Sequence, residues 1–286
     1  MDPIHRLRRP ELRRPHAIIA FEGWNDACDS ASGVINYLLG HYNVDEPFAI
    51  VEPDEFFDFQ AHRPLVSLDE GGVRSLTWPD TRMYAINLPG SEHDLIAVLG
   101  EEPSHRWKTF SRSIFSELAD LGVERVVLLG AFIGQVAHTQ PVPVVGVASD
   151  RSAMYRYNLA GSSYEGPTGI IGVLHEACKE EGIPAVSLWA ATPHYLAANP
   201  YPKAMLALTK KASEVLGVPF ETSELETIVR EYLARVAAAV AASDEFKDYI
   251  AELEEATEES RAGERIDPTQ STALVDEIET FLREQG

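Results

Sequence analysis

The sequence predicts an α/β fold in which a mixed sheet is covered by helices on both faces. Three observations lead there. Between residues 16 and 220, short apolar runs alternate with helical stripes, the pattern of a sheet built from strand–helix units. The runs Arg125 to Leu129 and Ala185 to Ala191 are apolar at most positions, as expected of strands buried on both faces of a parallel sheet. In GAFIGQVAHTQPVPVVGVASD, Gly130 to Asp150, one apolar run gives way to another across a short polar loop. A parallel crossover needs a dozen or more residues, so this loop and a meander upstream make the sheet mixed.

The elements follow in order. His16 to Phe21 is a strand, and Ala27, Ala31, Val34, Ile35, Leu38 and Leu39 then mark one face of a helix. Phe48 to Val51 is a second strand. Leu65 to Leu68, Val73 to Trp78 and Met83 to Leu88 form the meander, separated by Gly71-Gly72 and Pro79-Asp80. Ser91 is expected to cap a helix, with Asp94 near the reciprocal position. Glu102-Pro103 starts another, whose stripe is Trp107, Phe110, Ile114, Leu118 and Leu121. Val142 to Val147 reads as a buried strand like Arg125 to Leu129. Thr168 to Glu181 and Pro202 to Leu216 are helices, stopped by Gly182 and Gly217.

After Pro219 the character changes. From Glu221 to Gly286 there are 18 Asp and Glu against 6 Lys and Arg. Ser223 and Glu226 predict a capping box opening a helix striped by Leu225, Ile228, Val229, Tyr232, Leu233, Val236 and Val240. Phe246, Tyr249, Ile250 and Leu253 begin a second helix, Glu258 to Thr272 reads as loose, and Leu274, Ile278, Phe281 and Leu282 predict a terminal helix. The organisation expected is an Arg-rich arm over 1–15, an α/β core over 16–220 and an acidic helical extension over 221–286.

Composition narrows the function classes. A formal net charge of -21 repels nucleic acid and anionic membrane over most of the surface, so neither is expected as a partner. No apolar run approaches the roughly 18–20 residues of a membrane span. The arginines at 6, 8, 9, 13 and 14 precede no apolar signal core, and two cysteines make no disulfide framework. A cytoplasmic protein is expected.

Ligands of open α/β sheets gather outside the carboxyl ends of the parallel strands. Four loops are candidates for that rim: Gly23 to Asp26, Ala137 to Gln140, Glu165 to Gly169, and Thr192 to Tyr195. His138 is the candidate catalytic acid or base, with His194, Asp26 or Glu165 as partner. A turn-capping role explains the same histidine. His194 is the second catalytic candidate. Asn25, Asp26, Thr139, Glu165, Gly166, Thr168 and Gly169 are the ligand-binding candidates. Gly166 to Gly169 opens a helix that could attract an anion, but it lacks the Lys of a phosphate loop. Asn25 or Asp26 as a helix N-cap needs no ligand at all. His175 and Cys178 make half of a metal site and nothing supplies the rest, so neither metal nor cofactor is expected. No serine sits in GxSxG.

Several separated motifs resemble one family in order. They are Phe21-Glu-Gly-Trp-Asn-Asp-Ala27, Asp58-Phe59-Gln60 with Arg63-Pro64, Trp107, Leu129-Gly130, His138-Thr139 with Pro141-Val142, Tyr164 to Gly169, Pro193-His194-Tyr195 and Asn199-Pro200. Together they are similar to the proteasome assembly chaperone 2 family, and more narrowly to its actinobacterial branch. The resemblance implies a three-layer α/β/α fold related to the phosphorylase/hydrolase-like folds. It implies homo-oligomers, with a trimer among the forms considered, and proteasome subunits or other proteins as partners. The family loop is commonly Pro-His-Thr-Arg-Pro. Ala137 and Gln140 replace its Pro and Arg here, which removes a bidentate anion clamp. Chaperones of this kind can also dock proteasome rings through a hydrophobic-Tyr-X tail. This sequence reads Arg283-Glu-Gln-Gly286 there, which leaves docking by other surfaces. The function expected is a non-enzymatic assembly chaperone or scaffold. The alternative is an enzyme with a nucleoside-phosphorylase-like or hydrolase-like pocket using His138 and His194; ligation driven by ATP ranks below both.

Overall fold

The computed structural model describes residues 3–69, 71–148, 151–160, 165–197 and 200–263. Its strands are β1 (Ile4–Arg6), β2 (His16–Glu22), β3 (Ala49–Val51), β4 (Leu65–Leu68), β5 (Arg74–Thr77), β6 (Thr81–Ile86), β7 (Leu95–Glu101), β8 (Arg125–Gly134), β9 (Val144–Ala148) and β10 (Ala185–Pro193). Its helices are α1 (Ser30–His41), α2 (Trp107–Asp120), α3 (Arg151–Arg156), α4 (Ile170–Glu180), α5 (Pro202–Leu216), α6 (Ser223–Ala241) and α7 (Asp244–Gly263).

Among the described residues, eight strands form one sheet in the order β1-β3-β6-β7-β2-β8-β10-β9. The four central strands β7, β2, β8 and β10 are parallel, and the pairings outward from them are antiparallel. The sheet is therefore mixed, as expected. Strand β9 does not return beside β8; it crosses the end of β10 and pairs with that strand's far side.

The alternation of side chains along β2 separates two cores. Ile18 and Ala20 pack with Val34, Ile35 and Leu38 of α1 and Ala204, Leu208 and Ala212 of α5. Ala17, Ile19 and Phe21 pack with Phe110, Ile114 and Leu118 of α2 and Ile170, Ile171 and Leu174 of α4. Three layers result. Cys178 lies in the second core, where burial pushes its thiol pKa up, away from ligand chemistry.

Four local expectations are corrected. Leu95 to Glu101 is a strand, not a helix opened by Ser91. A short apolar run does not distinguish a buried strand from a buried helix segment. Here the run is sandwiched between β6 and β2, and a Cβ on Gly100 would come within 2.5 Å of the Asp80 carbonyl. Asp94 caps no helix. Its carboxylate takes the Arg13 guanidinium (2.6 Å) and the Arg13 and Leu88 N–H groups (2.8 and 2.9 Å). Strand β9 is a half-exposed edge, not a strand buried on both faces. The Ser223–Glu226 box does not form either. Glu221 accepts the Thr222 and Ser223 N–H groups, while Glu226 bonds Thr222 and pairs with Lys210.

The first residues join the sheet. Ile4 is buried, and β1 pairs with β3. Arg6, Arg13 and Arg14 pair with Glu117, Asp94 and Glu124. At the other end, the stretch expected to loosen at Glu258 is helical as far as Gly263. The terminal helix expected at Leu274, Ile278, Phe281 and Leu282 lies outside the described residues. No described helix is long and apolar enough to cross a membrane.

Candidate functional site

Because β7, β2, β8 and β10 run parallel, their exit loops share one rim. The site candidates fall there in two groups.

The first group surrounds Asn25. After β2, the chain turns at Gly23, and the Asn25 carbonyl accepts the Ala131 N–H of β8 (2.8 Å). This folds the Asn25 side chain fully inward. Its Nδ2 donates to Glu102 Oε1 (2.7 Å), and the same oxygen accepts the Ile170 N–H at the start of α4 (2.7 Å). The helix N-terminus that could have received an anion is thus filled by a carboxylate of the chain itself. Gly169 is required by contact: a Cβ there would lie 2.3 Å from Asn25 Oδ1. Asp26 serves the start of α1, although Asp29 holds its N-cap position. The Asp26 carboxylate accepts the Ala31 and Ser32 N–H groups (2.6 and 3.3 Å). Burial raises its pKa, and the bonds from Ser32 and Ala31 oppose that rise. To make this turn, Cys28 and Asp29 both take left-handed backbone (φ 57 and 47°). Glu165, Gly166 and Thr168 stand exposed beside this group.

The second group surrounds Tyr195, which follows β10. His138 is buried, and its N–H donates to Tyr195 Oη (2.7 Å). The same hydroxyl lies 2.8 Å from His138 Nδ1. The hydroxyl, which carries both a proton and a spare lone pair, can meet either tautomer of that ring. Lys203 of α5 donates to the His138 and Gln140 carbonyls (2.6 Å each) and fastens the loop. Helix α7 then covers it. Ile250 and Leu253 pack on Ala137, Thr139 donates to Glu254, and His194 Nε2 bonds the Tyr249 hydroxyl (2.7 Å). The Tyr195 ring meets His138 and His194 edge-on at 5.9 and 5.4 Å between centroids. The two histidines therefore share Tyr195 instead of bonding one another.

Burial lowers the His138 pKa, the Lys203 charge lowers it further, and Glu254 opposes both. Burial pushes the Tyr195 phenol up to about 12. At neutral pH the pair is a neutral imidazole and a neutral phenol. Chemically it can pass a proton, but α7 lies across it.

The structure brings Asn25, Asp26 and Gly169 together, and separately His138, Thr139 and His194. Sequence reading missed Glu102, Lys203, Tyr249 and Glu254. Glu102 was hidden because Glu-Pro reads as a helix start. The α7 residues carried one signal, the apolar stripe from Phe246 to Leu253, which called for a surface to cover.

Fold and rim first define a class: a three-layer α/β/α protein whose strand-end loops are tied down by its own side chains. The particular family follows from sequence. Residues 20–240 match the PAC2 family, and the chain belongs to it. It is similar to a PAC2 family protein from Streptomyces avermitilis, at 43% identity and a TM-score of 0.74, covering 82% of this chain and 99% of that one. It is also similar to a proteasome-assembly chaperone homologue of Mycobacterium tuberculosis, at 36% identity and a TM-score of 0.76, with 82% and 99% covered. A Corynebacterium glutamicum protein of unknown function shares the fold, at 20% identity and a TM-score of 0.80, with 91% and 98% covered. No curated protein matches the sequence.

Proposed function

We propose that this protein is a cytoplasmic, non-enzymatic assembly chaperone or scaffold of the actinobacterial branch of the family. It works as a homo-oligomer, a trimer among its candidate forms, and binds proteasome subunits or other proteins. The observation that carries this reading is the engagement of His138 and of the α4 N-terminus by the chain's own side chains, while His194, Glu165, Gly166 and Thr168 stay exposed on the same rim. The strongest catalytic candidate, His138, has its Nδ1, N–H and carbonyl engaged by Tyr195 and Lys203 beneath α7. The anion seat on α4 holds Glu102. Both arrangements support structural roles for residues that an enzyme would leave open.

A surface for protein contact lies elsewhere. The β4–β5 hairpin stands as its own two-stranded sheet, and all eight of its strand residues are exposed. Leu65, Val66, Leu68, Val73, Leu76 and Trp78 are among the exposed large apolar residues. Apolar side chains grouped in this way mark association surfaces. The similarity to the M. tuberculosis homologue supports the partner class. The net charge of -21, and the pairing of Arg6, Arg13 and Arg14 with Glu117, Asp94 and Glu124, support the exclusion of nucleic acid and membrane.

The test mixes purified full chain with actinobacterial proteasome α subunits and follows half-ring and ring formation on native gels. The reading expects a discrete complex and faster ring formation. Unchanged assembly with no complex at micromolar concentration contradicts it. A separate screen of nucleosides, phosphate and sugar phosphates by thermal shift addresses the enzyme alternative. A ligand at a hundred times its Kd would stabilise the fold by about 2.7 kcal/mol.

A further inference from the structure

The amino ends of the parallel strands, opposite the rim, hold a cluster that the sequence does not announce. In the sheet register His16 pairs with Leu95 and with Arg125. That register brings His16 of β2 beside His93, two residues before β7, and Glu124, one residue before β8. One donor atom from each of the three lies within 4.8 Å of the others.

Each of the three side chains offers one donor atom to the cluster. His16 is buried (4% exposed), and its Nδ1 has no hydrogen-bond partner. A buried ring nitrogen of this kind is either an unexplained cost or an atom meant for a partner. His93 Nδ1 lies 2.9 Å from the Arg14 carbonyl. That bond places the ring proton on Nδ1 and leaves the Nε2 lone pair free, the arrangement by which a backbone carbonyl orients a metal-bound imidazole. The Arg14 guanidinium grips Glu124 from one side (2.9 and 3.1 Å), and each carboxylate oxygen keeps a second lone pair. The nearby guanidiniums are committed, Arg14 to Glu124 and Arg125 to the Val215 carbonyl.

We infer that His16, His93 and Glu124 form a binding site for one divalent transition-metal ion of the Zn2+ class. Two imidazoles and one carboxylate are a donor set that such ions favour, and three protein ligands leave a fourth position for water. Bound metal pins β7, β2 and β8 together at the end where the arm is strapped down. Binding requires one rearrangement. The two rings are stacked, 4.0 Å between centroids and 20° between planes, so their lone pairs do not yet converge. Zinc–ligand bonds of roughly 2.0–2.2 Å separate tetrahedral donors by about 3.4 Å. The outer ring, His93, swings out of the stack to reach that geometry, and the carboxylate follows.

The test is calorimetric titration of the full, chelator-treated chain with Zn2+ alone, repeated with Co2+ alone to read the visible ligand-field bands. Wild type and the H93A, E124A and H105A variants are compared, each checked for an unchanged circular dichroism spectrum. Substituting the buried His16 risks the fold, so the two outer ligands carry the test. His105 is exposed and away from the cluster, and serves as the control. The inference expects saturable binding with one ion per chain, weakened about tenfold or more in both H93A and E124A and unchanged in H105A. Absence of saturable binding at micromolar Zn2+ overturns it. So does an affinity that either H93A or E124A leaves unchanged, or that H105A lowers equally.

Discussion

At Asn25 a single buried amide joins three elements, with its Nδ2 on Glu102 and its Oδ1 against Gly169. The contact leaves no room for a methyl group. Gly169→Ala is expected to destabilise the protein by about 1–3 kcal/mol, the usual cost of overpacking. Urea denaturation measures it, and Gly166→Ala, at an exposed neighbour, serves as the comparison. The second residue-scale prediction concerns pH. His138 is held neutral by burial, so its folded pKa lies below the value near 6.5 of a free histidine. Its contribution to stability is therefore complete above about pH 6.5. It is lost progressively as the pH falls through that value toward the lower folded pKa, because the unfolded chain then binds the proton more readily. Melting curves between pH 8 and 5 are expected to fall less steeply for His138→Gln than for wild type. At this scale the sequence exposed the polar residues but not their bonds. His138 and Thr139 stand out just ahead of Pro141 and Pro143, and Asp26 serves the start of α1 although Asp29, not Asp26, holds its N-cap position. Glu102 does not stand out, because its partners Asn25 and Ile170 are distant in sequence and meet it only through strand order.

At the level of elements, and among the described residues, α7 is held on the rim by the patch of Ala137, Ile250 and Leu253, by the Phe246 and Tyr249 rings against Tyr195 and His194, and by two side-chain bonds. Leu253→Asp removes an apolar contact on the order of 1.5–3 kcal/mol and puts a charge in its place. Cleavage within 244–256 by a non-specific protease is expected to accelerate while the far-ultraviolet spectrum of the core persists. Cleavage at the wild-type rate would place the hold on α7 elsewhere. The β4–β5 hairpin makes the opposite prediction. Leu65→Asp with Leu76→Asp alters exposed residues, so the melting temperature is expected to change little, within about 0.5 kcal/mol per site. Light scattering should instead report loss of self-association. Most elements were legible from period and punctuation, since helices such as α2 and α5 carry full stripes and clear stops. Strand β7 was not. Its run is too short and too uniformly apolar to reveal a period, and only pairing with β6 and β2 decides its state. The position of β9 was hidden for a related reason: a short loop suggests neighbours, whereas this one carries the chain past β10.

For the molecule as a whole, the acidic charge, the strapped arm and the engagement of His138 and Glu102 within the rim are the features behind the proposed binding role. The sheet's parallel centre places the loops on one edge in the way that serves enzymes of many kinds, yet fold alone assigns no chemistry. Here the chain spends those loops on itself, and its apolar hairpin faces outward. The central claim is that this protein acts by associating with copies of itself and with proteasome subunits. Size-exclusion chromatography with light scattering, run on the full chain alone and then with actinobacterial proteasome α subunits at micromolar concentration, tests it most directly. The account predicts a mass that is a whole multiple of the chain mass, and a heavier co-eluting species on mixing. A monomer that elutes unchanged in the presence of the subunits would contradict it.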